Sequence, residues 1–301
     1  MNYPNAMNLT DYPSPKKSRS NTAIRISDWL VRAKEKLLLS PLQPVSSIWV
    51  LLSHVLNKTK TWLTVNPDAY ISSSQTRQLD DLLNQLIFGV PLAYLISHWS
   101  FFGYDFIVNP SVMIPRPETE LLVEKALAWL CTNPSRLSMA EVGIGSGCIS
   151  ISLSKQISDL QICATDVSWT ALQVAQQNIY QYSLNKIFLV QSNLLDCIQK
   201  KFDLICANLP YIPSSTLETL SVSQHEPIRA LDGGEDGLFF IKKFISAAPN
   251  YLAHKSLLLM EIESSQKEAV LNIANKYFHN SSIQVIEDLA HLPRLLMVQT
   301  S

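Results

Sequence analysis

From residue 139 onward the chain alternates two hydrophobic periods. Short apolar runs at 139–142, 160–165, 187–190, 202–207 and 257–262 are separated by stretches of helical spacing, such as 168–180 and 236–248. Runs of this length suit buried strands, and the stretches between them are long enough to cross over a sheet, so the alternation predicts parallel strands joined by helices. Two last runs, 283–286 and 295–298, lie too close together for a crossover helix and are expected to pair antiparallel. The expected fold class is α/β, an open doubly wound sheet that binds its ligands outside the carboxyl ends of the strands.

Upstream the texture differs. Over residues 23–95 the pattern is largely helical: Ile26, Trp29, Leu30, Ala33 and Leu37 recur at helical spacing, and Leu79, Leu82, Leu83 and Leu86 make one apolar stripe. This predicts a small N-terminal helical domain, for which periodicity alone suits a structural cap as well as a recognition module. Residues 96–114, aromatic and β-branched around Gly103, read as a β-hairpin linker, and 115–301 as the main domain. Residues 1–22, rich in Ser, Asn and Pro, cannot bury enough apolar surface and are expected to form a disordered tail. A short transit segment is the rival reading of that composition.

With 47% apolar and 16% charged residues, the chain has the make-up of a compact protein. Its formal charge of −1 supplies no overall attraction to polyphosphate, so a nucleic-acid substrate would need a local basic patch. No apolar run approaches the roughly 20 residues of a membrane span, and the N-terminus lacks a secretory core, so a cytoplasmic protein without a membrane partner is expected. Cys131, Cys148, Cys163, Cys197 and Cys206 form no C-x-x-C pair. They are expected to be buried free thiols, with no disulfide and no metal site.

Six of the eight glycines fall in two short segments: Gly143, Gly145 and Gly147, then Gly233, Gly234 and Gly237. The first segment follows a predicted strand and opens a helix, where backbone must turn sharply or approach a ligand. Its spacing, Gly143-Ile144-Gly145-Ser146-Gly147, differs from the G-x-G-x-x-G of pyrophosphate binders and suits a nucleoside without phosphates; a purely structural turn is the alternative. Asp166 ends the next strand, where a carboxylate accepts from both ribose hydroxyls, although with Ser168 it equally suits a helix cap. Asn208-Leu209-Pro210-Tyr211 closes the run 202–207. The Asn208 carboxamide oxygen and the next backbone carbonyl are two acceptors for one NH2 group, and Tyr211 offers a face to a planar amide or base. Such acceptors suit methyl transfer to nitrogen, since they localise a lone pair that resonance spreads; the alternative is a proline turn closing a strand. In Ile114-Pro-Arg-Pro-Glu-Thr-Glu120, helix capping explains all but Arg116.

These segments resemble the HemK/PrmC family of release-factor glutamine methyltransferases. The likeness spans roughly residues 75–300 and rests on Pro91-Leu-Ala-Tyr-Leu95, Phe102-Gly103, the segment from Ile114 to Glu120, the glycine loop, Asn208 to Tyr211, and Glu226-Pro-Ile-Arg-Ala-Leu-Asp-Gly-Gly-Glu-Asp-Gly237. It implies a seven-stranded, Rossmann-like methyltransferase sheet dependent on S-adenosyl-L-methionine, behind an N-terminal helical domain that docks the substrate. The implied reaction methylates the side-chain amide nitrogen of the glutamine in the Gly-Gly-Gln loop of class 1 peptide-chain release factors. The resemblance puts Gly143, Ile144, Gly145, Ser146 and Gly147 around the methionine part of the cofactor, Asp166 on its ribose and Leu194 at its base. Asn208, Leu209, Pro210 and Tyr211 would hold the glutamine, with Asn208 also near the cofactor and Asn208, Pro210 and Tyr211 catalytic. A monomer with no direct nucleic-acid partner is expected.

Two departures from the family pattern matter. Leu209 stands where the family has proline, which keeps the carbonyl but frees φ. Asn193-Leu194 stands where the family has an Asp-aromatic pair, which implies weaker contact to the base. Asn-Leu-Pro-Tyr is also similar to the motif of ribosomal-RNA adenine dimethyltransferases, so an N6-adenine methyltransferase on RNA or DNA is the rival reading. A non-catalytic module that binds release factors is another.

Overall fold

The computed structural model describes residues 23–38 and 44–301, so the tail expected at 1–22 lies outside the described residues. The described residues divide into two compact units, one up to Phe88 and one from Gly89 to Ser301. In the first, β1 (Ile24–Arg25) pairs antiparallel with β2 (Tyr70–Ile71), beside α1 (Ile26–Leu38), α2 (Ser46–Leu56), α3 (Lys60–Val65) and α4 (Ser73–Ile87). The stripes that predicted helices are its core: Ile26, Trp29, Ala33 and Leu37 of α1 and Leu79, Leu83 and Leu86 of α4 are buried. Helix α4 starts where Ser72 accepts from the Gln75 N–H and Gln75 bonds back to the Ser72 N–H, a reciprocal cap for two orphan donors. The Trp29 indole donates to Asp80 at 2.9 Å, which gives the buried ring's polar edge a partner.

The second unit opens with α5 (Leu92–Ile96) and an antiparallel hairpin of β3 (His98–Phe101) and β4 (Tyr104–Ile107). Residues 96–114 were expected to link two domains, yet the structure packs the hairpin into the second unit. Phe101 and Phe106 are buried in its core, and the Asp105 and Ile107 N–H groups donate to the Tyr182 hydroxyl and Asn178 Oδ1, both at 2.8 Å. There follow α6 (Glu120–Thr132), β5 (Ser138–Val142), α7 (Cys148–Gln156), β6 (Gln161–Asp166), α8 (Trp169–Gln181), β7 (Ile187–Gln191), β8 (Phe202–Ala207) and α9 (Ser214–Leu217). The chain ends with α10 (Phe239–Ala247), β9 (Leu252–Glu261), α11 (Lys267–Tyr277), β10 (Ser281–Glu287) and β11 (Pro293–Thr300).

The seven strands β5 to β11 form one sheet in the order β10-β11-β9-β8-β5-β6-β7, parallel except that β11 runs against both its neighbours. One face packs on α6, α7 and α8, the other on α10 and α11. Because successive strand residues face opposite sides, Met139 of β5 joins the first core while Ala140 and Val142 join the second. Strand β9 begins five residues before its apolar run: Lys255 has a left-handed backbone at φ 55, and the exposed His254 and Lys255 hide the early pairing from an apolarity pattern. Helix α10 begins at Phe239, not at 236, since Gly237 at φ 70 still belongs to the turn. All five cysteines are free; Cys148 and Cys206 are buried as expected, but Cys131 and Cys197 are exposed.

Candidate active site

In an open α/β sheet the crevice for a ligand lies where the strand order reverses. Here that point is β5, between β6 and β8. The glycine loop leaves the carboxyl end of β5, and the Gly143 and Ile144 N–H groups both donate to the Thr165 carbonyl at 2.9 Å. Gly145 has a left-handed backbone at φ 53, and a Cβ there would meet open space, so it is conformation, not space, that favours glycine. At Gly143 the constraint is different: a Cβ would come within 3.3 Å of the Asn208 carbonyl oxygen. The glycine loop and the Asn208 loop are therefore neighbours, which no local pattern announced.

Asp166 does more than cap a helix. Its two oxygens accept from the Gly145 N–H at 3.0 Å and the Ser168 N–H at 2.9 Å, tying the glycine loop to the start of α8. The cap itself is Ser168, whose side chain accepts from the Ala171 N–H. Burial pushes the Asp166 carboxyl above its ordinary range, against those N–H bonds.

A cavity of about 410 Å³ opens at this edge of the sheet. Of the residues singled out in the sequence, Gly143, Ile144, Gly145, Ser146, Asp166, Leu194, Asn208, Leu209 and Pro210 line it. Gly147 does not; it caps α7 with φ 83. Tyr211 does not line it either, and its hydroxyl donates to Glu261 at 3.1 Å. Leu194 adopts φ 53, rare for leucine, and beside it the Ser192 hydroxyl is buried with no hydrogen-bond partner among the described residues. The charged residues of the lining are Glu141, Asp166 and Arg229, so Arg229 is the one basic side chain among the described residues there.

Three carboxylates that the sequence reading passed over organise the polar groups of this region. Glu261, at the end of β9 and 2% exposed, accepts from the Thr119 hydroxyl at 2.7 Å as well as from Tyr211. Thr119 in turn accepts from Asn208 Nδ2 at 3.2 Å. Burial raises the Glu261 carboxyl, opposed by those two hydroxyl donors. Glu226, also buried, accepts from the Ile114 N–H at 3.0 Å and pairs with Arg116. This pairing accounts for Arg116: it anchors the turn that carries Thr119. Glu141 sits on β5 beneath α7 and accepts from the Ser150 N–H at 2.9 Å and from the Ser150 hydroxyl, capping α7 from outside the helix. Burial pushes its carboxyl up to about 8. A signal for Glu141 and Glu261 was present, since each is an acid inside an apolar run that becomes a central strand.

The second glycine segment packs on the Asn208 loop. A Cβ on Gly237 would fall 2.3 Å from the Tyr211 carbonyl oxygen, and one on Gly233 would fall 2.8 Å from the Tyr211 Cα. Gln266 closes the same corner by donating to the Tyr211 carbonyl at 2.9 Å and the Gly237 carbonyl at 3.2 Å.

This sheet, with a glycine loop after its first parallel strand and an acid at the end of the second, is the fold of the S-adenosylmethionine-dependent methyltransferases. A solved methyltransferase from Pyrococcus furiosus shares it with a TM-score of 0.50 and 17% identity, over 75% of this chain and 98% of that one. Residues 28–96 match the model of the PrmC N-terminal domain, and 118–225 match that of the methyltransferase small domain. The release factor glutamine methyltransferase of Bacillus anthracis is 33% identical over 257 residues, 83% of this chain and 90% of that protein. That of Geobacter sulfurreducens is 36% identical over 229 residues, 75% of this chain and 79% of that protein. The chain belongs to the release factor glutamine methyltransferase family.

Proposed function

We propose that this chain transfers the methyl group of S-adenosylmethionine to the side-chain amide nitrogen of the glutamine in a Gly-Gly-Gln loop of peptide-chain release factors. One observation carries the reading: the glycine loop and Asp166, suited to a nucleoside, share a cavity with Asn208, Leu209 and Pro210, suited to an NH2 group. The cavity fits the cofactor. Its volume is that of a small-molecule site, and its lining offers the Asp166 carboxyl and the Arg229 guanidinium to a ligand that carries hydroxyls and a carboxylate. In this reading Gly143, Ile144, Gly145 and Ser146 hold the methionine part, Asp166 the ribose hydroxyls, and Leu194 the base, with Gly147 serving the loop through its cap on α7. When bound, S-adenosylmethionine supplies an electrophilic methyl group on a sulfonium centre.

The chain's own residues act on the nucleophile. An amide nitrogen attacks poorly because its lone pair is delocalised into the carbonyl. Asn208 Oδ1 and the Leu209 carbonyl accept its two N–H bonds, which fixes the nitrogen in place and favours a localised lone pair. Pro210 restricts the ψ of Leu209 and so sets the direction of that carbonyl. Tyr211, expected to lie against the amide plane, is assigned instead to anchoring the loop, with its hydroxyl on Glu261 and its carbonyl on Gln266. The nitrogen's new bond to the methyl group replaces the methyl–sulfur bond, whose electron pair stays on sulfur, and one amide proton leaves to solvent. The helical unit takes the part of the docking module, and the enzyme is a cytoplasmic monomer.

Mass spectrometry tests the proposal. A release factor incubated with this protein and S-adenosylmethionine gains one methyl group on the Gly-Gly-Gln glutamine, and its Gln→Ala variant gains none. Equal modification of both factors, or methylation of RNA adenine instead, overturns the reading; no turnover of the cofactor leaves a binding module.

A further inference from the structure

A carboxamide is nearly symmetric in shape, so packing alone does not decide which way Asn208 faces. Hydrogen bonds must decide it. Turned one way, Asn208 offers an acceptor to a substrate NH2 group; turned the other way, it opposes that group with a second NH2. The geometry points to Thr119, seated on the buried Glu261, as the positioning residue that turns the Asn208 carboxamide so that Oδ1 faces the substrate nitrogen. This inference rests on the glutamine reading of the site.

The number of protons available decides the direction of each hydrogen bond. Thr119 is 2% exposed and has one hydroxyl proton. That proton goes to Glu261 Oε2 at 2.7 Å, an oxygen that accepts when the carboxyl is ionised or carries its proton on Oε1. The Thr119 oxygen is then left with lone pairs alone and can take only a donor, which Asn208 Nδ2 provides at 3.2 Å. Tyr211 spends its own proton on Oε1 of the same carboxylate at 3.1 Å. A proton shared along that second bond still leaves Oε2 accepting, so the direction of the Thr119 hydrogen bond survives. The support is rigid: Thr119 closes a one-turn helix, Pro117–Thr119, with its N–H on the Arg116 carbonyl at 3.1 Å, and Arg116 is held in turn by the buried Glu226. In the segment Arg116-Pro-Glu-Thr119, the arginine fixes the turn and the threonine sets the orientation of an amide 89 residues away in sequence.

The test compares Thr119→Val, which keeps the shape and removes the hydroxyl, with Thr119→Ser, which keeps the hydroxyl. Thr119→Val is expected to lower kcat for glutamine methylation by about ten-fold to a hundred-fold, the scale of one lost preorganised hydrogen bond, with cofactor affinity by calorimetry unchanged. Thr119→Ser stays within about three-fold of the wild type. In an Asn208→Ala background, Thr119→Val should cost nothing further in kcat, because its effect passes through Asn208. A second readout needs neither cofactor nor substrate. In the free protein, one side-chain amide proton of Asn208, assigned by its loss in Asn208→Ala, exchanges slowly with solvent in the wild type and rapidly in Thr119→Val. If Thr119→Val does not fold, Glu261→Gln takes its place: an amide NH2 can donate to Thr119 and free its proton to face Asn208 the wrong way, so kcat falls comparably. Wild-type kcat in Thr119→Val or Glu261→Gln, an undiminished loss in the Asn208→Ala background, or unchanged amide exchange overturns the proposal. If the wild-type protein methylates no glutamine, the functional reading has failed instead, and the exchange measurement still decides the Thr119–Asn208 link.

Discussion

Asp166, half-buried, and Glu141, fully buried, are both acids at the carboxyl edge of the sheet, and their partners give them different work. Asp166 holds two backbone N–H groups and borders the cavity. Replacing it with alanine removes a charge-assisted acceptor for the ribose and unties Gly145, so cofactor affinity by calorimetry should fall by roughly 1.5 to 3 kcal/mol, about ten-fold to a hundred-fold. Unchanged binding would mean that the nucleoside lies elsewhere. Burial raises the Glu141 carboxyl to about 8 from an ordinary 4.5, against the hydrogen bonds it accepts from Ser150. A raised folded-state pKa means that the native state holds the proton more tightly than the unfolded chain does. The stability this contributes is complete below about pH 4.5 and is lost as pH rises through about 8. Glu141→Gln, which carries no charge to desolvate, should therefore gain on the wild type between pH 5 and pH 8 by on the order of a few kcal/mol, and then hold a constant lead. Denaturation midpoints of the two proteins across that window check the sign.

At the scale of elements, the site is three loops and a turn held together by close backbone approach. Leu209 shows how such a loop departs from a family pattern: its side chain is 5% exposed and belongs to the core beneath α10, so it packs where proline would only constrain. Leu209→Pro should keep methylation, since the carbonyl remains, while lowering the denaturation midpoint by the loss of packed atoms, about 1 to 2 kcal/mol. A folded variant without activity would show that this loop holds its carbonyl by a different backbone conformation. The hairpin β3–β4 was legible as two strands but not as part of the second unit. Besides the buried Phe101 and Phe106, its attachment uses Asn178 of α8 and Tyr182 just past that helix, which are more than 70 residues away and polar, so no hydrophobic period marks them. Gly233 and Gly237 are likewise recognisable as special in the sequence, but the close approach of the Tyr211 backbone, and of the Gly237 carbonyl to Gly233, is visible only in the fold.

For the whole molecule, a formal charge of −1 and a cavity lining with one guanidinium among the described residues predict a reaction with little dependence on salt. Raising salt from about 50 to about 200 mM should slow release-factor methylation by less than about three-fold, whereas a protein with many phosphate contacts loses about a thousand-fold or more in affinity. A steep salt slope in the methylation rate would count against a protein substrate. Among the described residues no helix is long and apolar enough to cross a membrane. The order of strands and helices, the parallel sheet with its antiparallel end, and the two loops proposed to meet a ligand were all written locally, because period, glycine and strand-end acids act over a few residues. Tertiary structure decided which of those places share one cavity, that Tyr211 turns to Glu261, and that Thr119 stands between Glu261 and Asn208. A buried carboxylate finds its hydrogen-bond donors in space rather than along the chain, so only the folded sheet, bringing the end of β9 beside the end of β8, could say which donors those are.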